Sequence, residues 1–223
     1  MPSYKKHLLF SLLISLLVAS PFLPNVFYLA LAVVGASIVD LDHPVRNRNL
    51  LLLASSGLVL ATVLFIIKMP LILGLTLILM ALIFFVSSHR GLMHSIAGVI
   101  IISVLLALFT SSAFLLLVNF SVAIGPSLAI ILVILGLIIL NKQIVPFYVV
   151  VVLLGIFLIP SYYFNPYYVF FAFLIGSMSH IALDMFTGRG VKLFSPFSEK
   201  KFGKKTVFIL TVVWVMGIVW FYW

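Results

Sequence analysis

The chain has 223 residues, of which 65% are hydrophobic and 8% charged, with a mean hydropathy of +1.40 and a formal net charge of +9. That composition excludes an ordinary soluble domain, and the lack of cysteine excludes disulfides and thiolate metal sites, so any metal must be held by His and carboxylate. What remains is an all-α polytopic membrane protein. Apolar stretches near the roughly 20-residue bilayer span recur from end to end, with no polar segment that could fold separately, so residues 1–223 read as one integral membrane domain.

Apolar runs and their breakers predict about nine helices. The first runs from Lys6 to Ser20 and is stopped by Pro21 and Pro24; the second runs from Asn25 to Asp40 and ends at DLDHP. Both are short for a full span and form a tilted or re-entrant N-terminal hairpin. The opening MPSYKKHLLFSLLISLLVAS also has the form of a signal peptide, although a retained first helix looks the same. A third helix covers Asn49 to Ile67, turns at Lys68–Pro70, and is followed by a fourth from Leu71 to Val86. The fifth begins near Leu92 and the sixth ends near Leu140, with Thr110–Ser112 and Asn119–Pro126 competing as the turn between them. A seventh covers Ile144 to Ile159, an eighth Tyr167 to Met185, and a ninth Thr206 to Trp223. Phe27, Tyr28, Tyr162, Tyr163, Tyr167 and Tyr168 fall where interfacial aromatic belts would be, a place where plain helix-end packing also puts aromatics.

Alternating sides along these helices puts twelve of the thirteen Lys and Arg residues on the side of the N-terminus, with Lys68 alone on the other. The positive-inside rule makes that side cytoplasmic, so the basic excess reads as topology rather than as nucleic-acid binding. The same alternation sends every His and three of the four acidic residues to that boundary: His7, Asp40, Asp42, His43, His89, His94, His180 and Asp184. His180 and Asp184 are four apart, which on a helix sets them on one face one turn apart. Ionisable groups in apolar spans cost a few kcal/mol unless they face a partner, a polar cavity or a metal. Eight such groups from four segments on one membrane face therefore point to a site. Imidazole with carboxylate suits zinc above all, with manganese or iron as alternatives, and the number of ligands allows one ion or two. His89 and His94 lie five apart, about 140° around a helix, so both can point inward only if His89 sits in the loop before Gly91.

Three stretches in this order between hydrophobic helices, ASIVDLDHP (36–44), HRGLMHS (89–95) and SHIALDMFTGRGVKLFSPFS (179–198), resemble the YdjM family, described as membrane-bound metal-dependent hydrolases. The opening His7 before an apolar helix is similar to that family's start. The resemblance implies that Asp40, Asp42, His43, His89, His94, His180 and Asp184 are the metal-site residues. A more distant similarity of HxxxD to zinc-dependent phospholipases C and single-strand nucleases implies a phosphodiester substrate. Met93 departs from the family's frequent Thr before the second His.

The expectation is thus a multi-pass hydrolase of the cell membrane with its site facing the cytoplasm. Its substrate is a phosphodiester or lipid headgroup, Asp42 is the general base, and Arg90 clamps an anionic substrate. Membrane lipids are its expected partners. The alternative from the same residues is a metal-ion or proton-coupled transporter; its site would lie nearer the bilayer midplane between repeats, and no internal repeat is evident.

Overall fold

In a computed structural model, the described residues are 4–14, 26–42, 47–87, 91–158, 163–186, 190–209, 212 and 216; of 4–8, 41–42 and 47–49 only the backbone is described. Among them the chain forms α1 (Tyr4–Ile14), α2 (Val26–Ile38), α3 (Asn47–Ile66), α4 (Ile72–Val86), α5 (Ile96–Asn119), α6 (Ile124–Ile139), α7 (Val145–Leu158) and α8 (Pro166–Met185). Residues 204–209 are helical as well, at the start of the expected ninth helix. The architecture is an all-α helical bundle, and an isolated bridge between Val191 and Phe202 is the described extended pairing.

Local chemistry explains several boundaries. α8 begins at Pro166, whose missing N–H is no loss in a first turn, and the side chain of Asn165 accepts from the Tyr167 N–H as N-cap. The turn between α5 and α6 is the later of the two candidates: α5 runs through Thr110–Ser112 to Asn119, and the reversal uses Ser121 in the left-handed region at φ 61°. Hydroxyl residues do not break a helix that has apolar neighbours on every side. Lys68, at φ 57°, turns α3 into α4.

α5 and α8 are long and apolar enough to cross a membrane; α2, α4, α6, α7 and the stretch Leu50–Ile66 are shorter apolar helices. Phe65, Phe85, Phe147 and Leu158 lie on the outer surface of the bundle, an apolar exterior that suits lipid and not water.

At the centre, α2 and α8 run parallel and touch backbone to backbone. Tyr28, in the first turn of α2, donates its hydroxyl to the Tyr163 carbonyl (2.7 Å) and accepts from the Asn165 N–H (2.9 Å), just ahead of α8. Further along, a Cβ on Gly176 would lie 1.9 Å from the Ala32 carbonyl oxygen, one on Gly35 would lie 2.6 Å from that of Phe173, and the Ser177 hydroxyl donates to the Gly35 carbonyl at 2.8 Å. Only residues without side chains permit so close a crossing, the small-residue packing of membrane helices. α5 runs the opposite way against α8, since Phe114 stacks on Phe164 at 4.0 Å at one end while His94 meets Asp184 at the other.

The aromatic-belt expectation needs correction at two positions. Phe27 and Tyr28 are fully buried, held edge to face with each other and, for Tyr28, with Tyr168. Tyr163 and Tyr167 are exposed, as a belt requires, and Tyr162 lies outside the described residues.

Candidate metal centre

The parallel crossing of α2 and α8 brings the C-terminal ends of both helices to the same end of the bundle. α2 passes at Val39 into a 3-10 turn, Val39–Asp42, which carries Asp40. The last two turns of α8 carry His180 and Asp184. His94 arrives from the other direction, in a 3-10 turn, Leu92–His94, that precedes α5.

That turn is held tightly. Ser95 is the N-cap of α5: its hydroxyl accepts from the Gly98 N–H (3.1 Å) and donates to the Leu92 carbonyl (2.7 Å). Leu92 lies directly over Gly98, where a Cβ would be 1.9 Å from the Leu92 carbonyl oxygen. The Ile96 N–H, one of the donors a helix start leaves without an internal acceptor, donates to the carbonyl of Leu193 at 2.9 Å. Met93 is fully buried in the core.

The donor atoms converge. His180 Nε2 lies 3.4 Å from Asp40 Oδ1 and 3.7 Å from Asp184 Oδ2, and His94 Nε2 lies 3.4 Å from the same Asp184 oxygen. The two imidazoles meet edge to face, 5.7 Å between centroids. Asp40, His94 and His180 each offer a ligand atom within 4.8 Å of the others, and form a group that could hold a metal ion. Tetrahedral ligands about 2.1 Å from a metal lie roughly 3.4 Å from one another, the separation that Asp40 with His180 and His94 with Asp184 show. The donor set fits too. Two imidazole nitrogens with carboxylate oxygen suit a borderline divalent metal, and the two carboxylates supply negative charge that such an ion offsets.

Burial grades across the group. The His94 and His180 side chains are each 1% exposed, and that of Asp40 is 36% exposed. The centre therefore opens to its surroundings on the Asp40 side, while α5 and α8 close its inner wall.

Of the residues the sequence nominates, Asp40, His94, His180 and Asp184 come together. The backbone of Asp42 closes the 3-10 turn two residues past Asp40, and His7 lies on α1; the side chains of both fall outside the described residues, as do His43, His89 and Arg90 altogether. The His180–Asp184 pair follows from spacing alone. Sequence reasoning misses the shorter cross-helix contact of Asp184 with His94, because nothing in the local pattern sets the rotation of α5 against α8.

No curated protein and no solved structure gives a significant match. A family model does, that of the YdjM inner membrane protein, and it covers residues 1–223, the whole chain including all three motif stretches. The chain belongs to the YdjM inner membrane protein family.

Proposed function

We propose that this protein is a metal-dependent hydrolase of the membrane that acts on a phosphodiester or lipid headgroup at the cytoplasmic boundary. The observation that carries the reading is the meeting of Asp40, His94 and His180, with Asp184 against both imidazoles, at one end of the bundle. A purely structural His–Asp contact needs one partner each; here four side chains from three segments share one small volume. A mid-bilayer transport site would sit along helix interiors, whereas these residues sit at helix ends.

Asp40, His94 and His180 would hold the metal, zinc in the first place, or manganese or iron. A divalent ion supplies Lewis-acid polarisation of a phosphoryl or carbonyl oxygen and lowers the pKa of water toward about 7. The chain does the rest. Asp184 Oδ2 faces the same Nε2 atoms of both imidazoles that face the centre, and would serve as a further ligand there. The walls of α5 and α8 exclude water from the inner side, and the substrate comes in past Asp40. Asp42, on the same turn as Asp40, is assigned as general base, and Arg90 as the clamp for the substrate's negative charge.

The test is metal analysis of protein purified without chelator and reloaded with zinc, manganese or iron, followed by hydrolysis assays on phosphodiester and lipid substrates. One ion held tightly, with turnover that a chelator abolishes, is the expected result. Failure to hold any divalent metal sinks the proposal. Retention of metal together with metal flux in proteoliposomes, and no hydrolysis, replaces it with the transporter.

A further inference from the structure

The segment that follows α8 is built as a stapled loop with an unusual outer surface. Val191 and Phe202 exchange two backbone hydrogen bonds (2.9 and 2.8 Å), and Gly190 enters this bridge at φ +65°, with the Phe202 carbonyl 2.9 Å from where a Cβ would stand. Val191 and Leu193 are buried, and the Leu193 carbonyl receives the first N–H of α5, two residues from His94. The loop is thus pinned to the bundle beside the metal centre.

Its tip points away from that anchor and is apolar. Phe197 is 89% exposed and Phe194 51% exposed, three residues apart in the turn 193–197. The same stretch is basic in sequence: between 192 and 205 the chain has five lysines and one glutamate, and Glu199 is already engaged by Lys192. Lys200 lies over the Phe202 ring at 5.6 Å, and Lys201, Lys204 and Lys205 are exposed. Exposed aromatic rings and exposed lysines on one loop of a membrane protein have one natural complement. Aromatic rings settle at the boundary of headgroups and acyl chains, and lysines are attracted to anionic headgroups.

We infer that residues 192–205 form a docking loop for anionic lipid, with Phe197 and Phe194 inserted at the headgroup level and Lys200, Lys201, Lys204 and Lys205 bound to the headgroup charge. The inference is independent of the hydrolase reading, since it rests on the loop alone.

The chain has no cysteine, so Phe197→Cys carries a single nitroxide label at an exposed tip. The full-length labelled protein is placed in nanodiscs of phosphatidylcholine alone, or with about a third phosphatidylglycerol, and collisions of the label with oxygen and with a water-soluble nickel complex are compared. In the anionic discs the ratio of oxygen to nickel collisions should rise severalfold. It should return to the phosphatidylcholine value at about 1 M salt, where exposed charges are screened within about 3 Å. Gln at positions 200, 201, 204 and 205 should do the same, because each lysine near such a surface is worth about a fivefold factor. A ratio equal in both lipids, or unchanged by the four Gln substitutions, overturns the inference and leaves the loop facing water or another protein. Unlabelled native protein gives a second reading. Trypsin cleavage at 200–205, taken relative to the exposed Lys142, should slow about tenfold in anionic discs, and equal cleavage in both compositions contradicts docking.

Discussion

The α2/α8 pair and the α3/α4 pair close on each other by the same device. In the first, Gly176 and Gly35 let backbones touch; in the second, a Cβ on Gly57 would lie 2.9 Å from the Gly74 carbonyl oxygen, and one on Gly74 would lie 2.5 Å from the Ala61 nitrogen. Their hydroxyls differ. Ser55, Ser56, Thr62 and Thr76 donate to carbonyls three or four residues back in their own helices, as Ser37 and Ser179 do in α2 and α8, while Ser177 alone of these donates across, from α8 to α2, and Ser11 of α1 donates to the Ala32 carbonyl of α2. Close approach by itself is therefore ordinary membrane packing. What turns α2/α8 into the frame of a site is parallel direction plus a bond across the helices, which together fix the rotation that sets Asp40 against His180.

The comparison breaks first, and with the largest effect, at the glycines. Gly176→Ala forces α8 off the Ala32 carbonyl at the core of the frame, so loss of stability of about 3 kcal/mol or more is expected, together with loss of metal binding. Gly57→Ala strains only the hairpin and should lower stability while the surviving folded protein keeps its metal. Denaturant titration of reconstituted protein beside metal content distinguishes them. If Gly57→Ala costs metal as severely as Gly176→Ala, the two regions are one unit and the distinction fails.

Next come the ligands. His180→Ala, His94→Ala and Asp184→Asn each remove a donor from the centre and should each weaken metal affinity by more than the roughly 10- to 100-fold of a supporting group, with the helical signal intact. Competition with a chelator of known affinity measures this. Wild-type affinity in Asp184→Asn would remove that carboxylate from the centre.

Much of this was legible in the sequence. Apolar runs and Pro or Asn breakers mark the helices, because in lipid the backbone must satisfy itself and the helix is the local way to do so. His180 and Asp184 are legible for the same reason, as an i,i+4 pair on one helix. Three things were not. Asp40 and His180 meet only because α2 and α8 cross in parallel at Gly35 and Gly176, and hydropathy is blind to which helices touch. Phe27 and Tyr28 look interfacial by position, yet the segment before α8 covers them and takes up the Tyr28 hydroxyl. His94 lies near a helix start in the pattern, but whether it belongs to α5 or to a turn before it depends on Ser95 as cap and on the space over Gly98.

That last dependence yields a smaller, local effect. Gly98→Ala puts a methyl group into the Leu92 carbonyl, so the 3-10 turn must lift and carry His94 with it. Metal affinity should fall about tenfold, as for loss of a supporting group, while α5 itself gains from alanine's better helix propensity. Unchanged metal affinity in Gly98→Ala would mean that His94 is not held to its place by this turn.

The smallest effect bears on the bond that separates the two helix pairs. Ser177→Ala removes the hydrogen bond to the Gly35 carbonyl without adding volume, and Ser56→Ala removes a hydroxyl that serves only its own helix. Interhelical bonds of this kind in membranes average about 0.6 kcal/mol and reach about 1.7, whereas a surface change stays within about ±0.5. Stability alone would thus barely tell them apart. Metal affinity tells more: Ser177 sits one turn before His180 on the face that meets α2, so its loss frees α8 to rotate and the distance from His180 Nε2 to Asp40 Oδ1 to widen. A threefold weakening, the equivalent of about 0.6 kcal/mol, is expected for Ser177→Ala and none for Ser56→Ala. If both leave the metal equally tight, glycine contact alone fixes the rotation of α8, and the cross-helix hydroxyl is as incidental to the site as those of the α3/α4 hairpin.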